Sequence, residues 1–172
     1  TDLLGNVTIP EGDPTDVETS LEVSLDASSE SYPLHTFNLL NEGVMQKIAK
    51  AFKLQPSEIA GATLDAGMVK VDGFSGPAEG KVAVGLTNPD GKVSYAYSAN
   101  GIGFWIAADG TASSWGDAPI YYEYDASGYG LTVGHNPGHS EKSKTYIIKP
   151  TMVYNKGGKL HKAVITIKMK FA

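Results

Sequence analysis

The chain has 172 residues and a net charge of −5, the length of one domain able to bury about 70% of the surface its unfolded form exposes. It holds no cysteine, and all 14 basic residues are lysine, which excludes disulfides, thiolate catalysis, Cys-ligated zinc and any bidentate guanidinium clamp on phosphate or carboxylate. The acidic balance argues against nucleic acid as a partner, and no apolar run approaches the ~20 residues needed to cross a bilayer.

Residues 1–17 combine two prolines, two glycines and acids with little periodicity. They read as a linker or N-terminal arm ahead of a single domain at 18–172. In 19–26, Leu21, Val23 and Leu25 alternate with Ser20, Glu22, Ser24 and Asp26, the period of a half-buried strand. Residues 163–171 do the same, with Ala163, Ile165, Ile167, Met169 and Phe171 on one side and Lys168 and Lys170 on the other. Residues 1–30 hold eight acids and no lysine, whereas 141–172 hold eight lysines and one acid. An acidic first strand and a basic last strand are natural neighbours, because opposite charges across a strand pair are stabilising. The first and last strands are therefore expected to pair.

The period changes at 41–54, where Val44, Ile48 and Phe52 recur at every fourth residue beside Met45 and Ala49. This is an amphipathic helix, and Pro56, Ser57 and Glu58 suit a second short helix start. The pair superficially resembles a helix-turn-helix. Lys53 in place of the usual turn glycine, the short second helix and the missing arginine favour a pair that covers a sheet instead.

From there the chain alternates like strands at 68–72, 81–87, 92–98, 101–108, 120–124, 129–135, 145–154 and 160–171. Asn88-Pro89-Asp90-Gly91, Asp109-Gly110, Ser127-Gly128 and the segment 155–158 punctuate them with hairpin chemistry. The expected fold is mainly β: an antiparallel β-sandwich with one or two short helices inserted near residues 41–60.

Aromatic and acidic residues concentrate in 99–125. If 101–108 is a strand, Ile102, Phe104 and Ile106 share one face and Gly103, Trp105 and Ala107 the other. Trp105, Trp115, Asp117 and Tyr121, with Asp109 and Glu123 nearby, have the composition of a sugar site: aromatic walls for a pyranose C–H face and a few polar groups for its hydroxyls. The competing reading is ordinary strand packing of tryptophan and tyrosine. His135-Asn136-Pro137-Gly138-His139 has two imidazoles four apart, but Pro137 and Gly138 preclude the helix that would bring them together on a metal. His135, Asn136 and His139 read instead as turn residues contributing to a ligand site, with no metal and no cofactor. His35 and His161 read as edge or surface residues. No G-x-S-x-G, H-E-x-x-H, phosphate loop or dinucleotide fingerprint occurs, so no catalytic residue is assigned.

The run 99–110 with its Gly-Ile-Gly-Phe-Trp, then Ser114-Trp115-Gly116-Asp117, Glu123, Gly134, Asn136-Pro137-Gly138 and the segment 146–154 resembles a domain of unknown function from secreted and lipoprotein-anchored proteins of Bacteroidetes. The resemblance spans about 40–172, with His135 standing where that family often carries Gln. It implies an extracellular or outer-membrane surface setting, a lipid anchor removed by trimming, and neighbours that bind or cut polysaccharides. The expected function is a noncatalytic extracellular carbohydrate-binding module with a glycan partner. The alternative is a structural module that docks neighbouring cell-surface proteins, and a glycoside hydrolase stands third.

Overall fold

The computed structural model describes residues 9, 11–26, 34–60, 67–95, 102–113, 116, 118–125, 129–136 and 138–171. Among them, one antiparallel hairpin organises the larger sheet. β13 (Lys159–Phe171) returns from a Gly157-Gly158 turn against β12 (Pro150–Lys156) and then β11 (Thr145–Ile148) in one continuous register. The sequence pattern predicts a single strand over 145–154. The structure divides it at Lys149 because Pro150 has no N–H to give to the ladder. β5 (Val82–Thr87) pairs with the other side of β12, and β6 (Val93–Ser94) follows it across the Asn88–Gly91 turn.

β1 (Val17–Leu25) pairs with β13 over nine positions, from Val17↔Ala163 to Leu25↔Phe171, and completes this sheet. The expected pairing of first and last strands is therefore present, and Lys170 forms an ion pair with Glu22. Its direction is parallel, unlike the other pairs. Only a tight hairpin forces antiparallel neighbours, and β1 continues not into β13 but into the other sheet. Just before β1 the described chain lies on the fold: Thr15 N–H donates to the Ala51 carbonyl at 2.7 Å, and the Asp16 carboxylate accepts the Lys162 N–H at 2.9 Å.

The second sheet runs in the order β2 (Leu34–Asn38), β10 (Gly130–His135), β9 (Ile120–Asp125), β7 (Ile102–Ile106), β8 (Ala112–Ser113), all antiparallel. β8 is too short to stand out as a strand in the sequence, and β2, Leu-His-Thr-Phe-Asn, lacks an apolar alternation. The inward residues of both sheets meet in one core that includes Phe37, Phe104, Tyr122, Leu131, Ile148, Ile165 and Met169. Tyr122, fully buried in the second sheet, donates its hydroxyl to the Gly85 carbonyl of the first. Burial pushes the Tyr122 phenol well above its usual pKa, so it remains a donor.

α1 (Val44–Phe52) buries Val44, Met45, Ile48, Ala49 and Phe52, and Lys53 ends it in the left-handed conformation. α2 (Pro56–Ala60) follows at once, its Glu58 carboxylate accepting the Gln55 N–H. The pair closes the sandwich, with Phe52 5.5 Å from Tyr154 between ring centroids. Finally, a small hairpin of β3 (Val69–Val71) and β4 (Phe74–Gly76) lies on the outside of the first sheet. There Tyr95 donates to the Ser75 carbonyl, Asn155 donates to that of Pro77, and Leu160 packs on Gly76. The fold is thus mainly β, a sandwich whose sheets are antiparallel except at the β1–β13 pair, with two short helices near 41–60.

Candidate functional site

Strand alternation decides which side chains leave the core. On β9, Ile120, Tyr122 and Tyr124 belong to the central core and Tyr121, Glu123 and Asp125 take the opposite face. On β7, Phe104 and Ile106 point inward and Gly103 and Trp105 outward. Register then aligns one outer row across four strands: Leu34, Gly134, Tyr121 and Trp105. The Trp105 and Tyr121 rings lie 4.8 Å apart at 54°, the tilted geometry that aromatic quadrupoles favour.

Gly134 makes the row continuous. A Cβ there would stand 2.8 Å from Cζ and Oη of Tyr121 and 2.9 Å from Cδ2 of Leu34. The phenol therefore reaches across β10 onto bare backbone and meets Leu34 coming from the edge strand. Tyr121 is 9% exposed and Leu34 56%, with Trp105 between these extremes. The next row holds Gly103, Glu123, Thr132 and Thr36. The exposed Glu123 leans over Gly103, its Cγ 3.4 Å from where a Cβ would stand, and the Thr36 and Thr132 hydroxyls share a hydrogen bond of 2.8 Å. The result is an aromatic strip bordered by a carboxylate and two hydroxyls.

The other sequence candidates fall elsewhere. His135 follows Gly134 and therefore points inward, where it is fully buried, hydrogen-bonds through Nδ1 to the Ser140 hydroxyl and packs 5.6 Å from the Phe171 ring. Asn136 is also buried: its side chain donates to the Ala118 carbonyl and its N–H to that of Pro119. These bonds hold the 136–140 turn against the segment entering β9. His139 is exposed in that turn. Trp115 and Asp117 lie outside the described residues.

The lone histidines also separate. His35 is exposed on the edge strand, whereas His161, expected at the surface, is 6% exposed with Nδ1 3.8 Å from the Asp16 carboxylate. Its odd-numbered position on β13 is that of the core residues Ala163 and Ile165, and this parity was readable in the sequence. Leu34, Thr36, Thr132 and Gly134 are the site residues that sequence reasoning did not assign. Gly134 carries no chemical signal of its own, and only the register shows what lies over it.

Asp109 accepts hydrogen bonds from the Thr111 hydroxyl at 2.7 Å and from its N–H at 3.0 Å. These bonds hold its carboxyl below the usual aspartate pKa and fix the β7–β8 turn. Glu123 stands opposite Gly103, so three strand residues, about 10 Å, and then the turn itself separate it from Asp109. Among the described residues no three His, Asp or Glu side chains gather as a metal site, and no helix is long and apolar enough to cross a membrane.

No curated protein and no solved structure matches this chain. A family model, described as a domain of unknown function (DUF4859), matches residues 31–159. The match contains every strand of the five-stranded sheet, with the aromatic strip, and leaves out β1 and all but the first residue of β13. The chain therefore belongs to the DUF4859 family of uncharacterised domains.

Proposed function

We propose that the domain is a noncatalytic glycan-binding module of a cell-surface protein, with the outer face of the five-stranded sheet as its platform. The observation that carries this reading is the Trp105–Tyr121 pair, 4.8 Å apart on the face turned away from the core. An indole partly open to water there offers its face to the C–H side of a pyranose, and Glu123, Thr132 and Thr36 lie within the same patch to accept or donate hydrogen bonds. A flat platform gives modest affinity, since it covers one side of a ligand where a cleft covers most of it. The motif resemblance supports an extracellular setting, on a secreted or lipid-anchored protein of Bacteroidetes.

The second reading, a module that docks neighbouring surface proteins, is favoured by the β3–β4 hairpin. Val69 and Phe74 are 43% and 57% exposed there, at positions of one face by their register.

A glycan-array screen of the chain beside Trp105→Ala and Trp115→Ala, each checked for folding by circular dichroism, separates the two. Specific binding that Trp105→Ala weakens at least tenfold, about 1.4 kcal/mol, supports the platform. A folded wild-type chain that binds no glycan overturns it and moves the weight to docking.

A further inference from the structure

We infer that the platform selects glycans carrying free, protonated amino groups and rejects acidic ones, an inference that rests on the glycan reading above. No lysine occurs between Lys92 and Lys142, and arginine is absent throughout. Four strands of the platform sheet fall inside that gap, and the fifth, β2, reads Leu-His-Thr-Phe-Asn. Among the described residues, the Asp, Glu or Lys side chains on the sheet's outer face are therefore Glu123 and Asp125, both acids.

The carboxylate stands close to the aromatic pair. Glu123 leans over Gly103, which lies two residues before Trp105 on the same face, a spacing of about 7 Å along a strand. That is within a Debye length at physiological salt. A sugar stacked on Trp105 presents its substituents toward Glu123. An ammonium there gains the carboxylate and the negative faces of the Trp105 and Tyr121 rings together. A uronate in the same place meets the Glu123 carboxylate and no cation. The chain's lysines stand on α1 and its C-terminal end, on the β3–β4 hairpin, and on the other sheet and the loops around it, so acidic glycans find complementary charge away from this strip.

The test is titration of the 172-residue chain with a β-linked glucosamine oligosaccharide at a pH where its amines are protonated, with the N-acetylated form of the same oligosaccharide, and with an oligouronate. Wild type, Glu123→Gln, Trp105→Ala and Glu18→Gln are compared at low and high salt. The expected order is free amine, then N-acetyl, then uronate, with at least a tenfold gap between the first two. That gap shrinks several-fold in Glu123→Gln and at high salt. Glu18→Gln removes an exposed carboxylate from the other sheet and leaves the gap unchanged, which separates local pairing from attraction to the net charge.

Equal binding of the free-amine and N-acetyl forms, or uronate binding as tight as either, overturns the charge inference. Trp105-dependent binding of the N-acetyl form would in that case leave the glycan platform standing. Absence of binding by all three to the folded chain overturns the charge inference. The platform itself falls only with a negative result on the full array.

Discussion

On the six-stranded sheet the outward Lys170 of β13 meets Glu22 of β1, and the outward Tyr95, Val153 and Ala83 form a second small core beneath the β3–β4 hairpin. On the five-stranded sheet the outward Trp105 and Tyr121 meet each other and Leu34, and among the described residues no further element is laid over Trp105. Two aromatic residues on outer faces thus have different fates. Tyr95 is a buried structural ring because a hairpin covers it and takes its hydroxyl, while Trp105 keeps part of its indole in water. The lesson is that an outward aromatic becomes a binding candidate by what fails to cover it rather than by its identity or its strand position.

The largest effect should come where the two sheets stop being distinct. Tyr122 fills the shared core and bridges to Gly85, so Tyr122→Ala is expected to destabilise the chain by about 3–5 kcal/mol. Thermal and urea unfolding should remain a single transition. Two separated transitions would show the sheets to be independent units.

Next in size is a matched pair of glycine substitutions. A Cβ at Gly85 on the six-stranded sheet would stand 2.7 Å from the Ser94 backbone carbonyl oxygen and 2.6 Å from Val93 Cγ1. Backbone cannot step aside, so Gly85→Ala should cost about 1–3 kcal/mol. At Gly134 the obstacles are the ends of two side chains, Tyr121 and Leu34. Gly134→Ala should change the melting temperature less than Gly85→Ala does, yet weaken glycan binding several-fold by moving the Tyr121 ring. Binding unchanged with the ring displaced, as seen in a structure of the variant, would remove Tyr121 from the platform.

The smallest effect concerns the ion pair. The hydrogen bond from Lys170, and then its charge, lower the Glu22 pKa below its ordinary value of 4.5. A depressed folded-state pKa stabilises the fold above the unfolded value, and the stabilisation is lost as pH falls through the lowered one. Wild type should therefore be slightly more stable than Glu22→Gln near neutral pH, and the difference should vanish with acidification below 4.5. High salt should shrink it too, since both partners are about half exposed. Urea midpoints measured against pH read this directly, and a difference that grows on acidification would contradict the pairing.

Much of this fold was legible. β1 and β13 show strict apolar alternation, α1 shows its fourfold repeat, and the turns at Asn88–Gly91 and Asp109-Gly110 are occupied as their residues suggest. That Trp105 shares a face with Gly103, and Tyr121 with Glu123, also followed from alternation alone, but which face looks outward did not. The parallel direction of β1, the interruption at Lys149 and the short strand β2 were not legible, because each depends on a partner distant in sequence. His135 and Asn136 illustrate the same limit. Polar residues flanking a Pro-Gly turn read as ligand contacts, and the structure uses them as buried hydrogen-bonding posts holding 118–119 against the 136–140 turn.

Side-chain alternation and composition are local properties, so the two faces of the longer strands, the charges of the terminal strands and the lack of lysine and arginine in 93–141 could be read without a fold. Tertiary structure decided which outward faces are covered. It brought Leu34, Gly134, Tyr121 and Trp105 into one row from four strands and laid the β3–β4 hairpin over Tyr95 rather than over that row. Register and chain path are set by contacts between distant segments minimising exposed apolar surface together, and no window of sequence contains that sum.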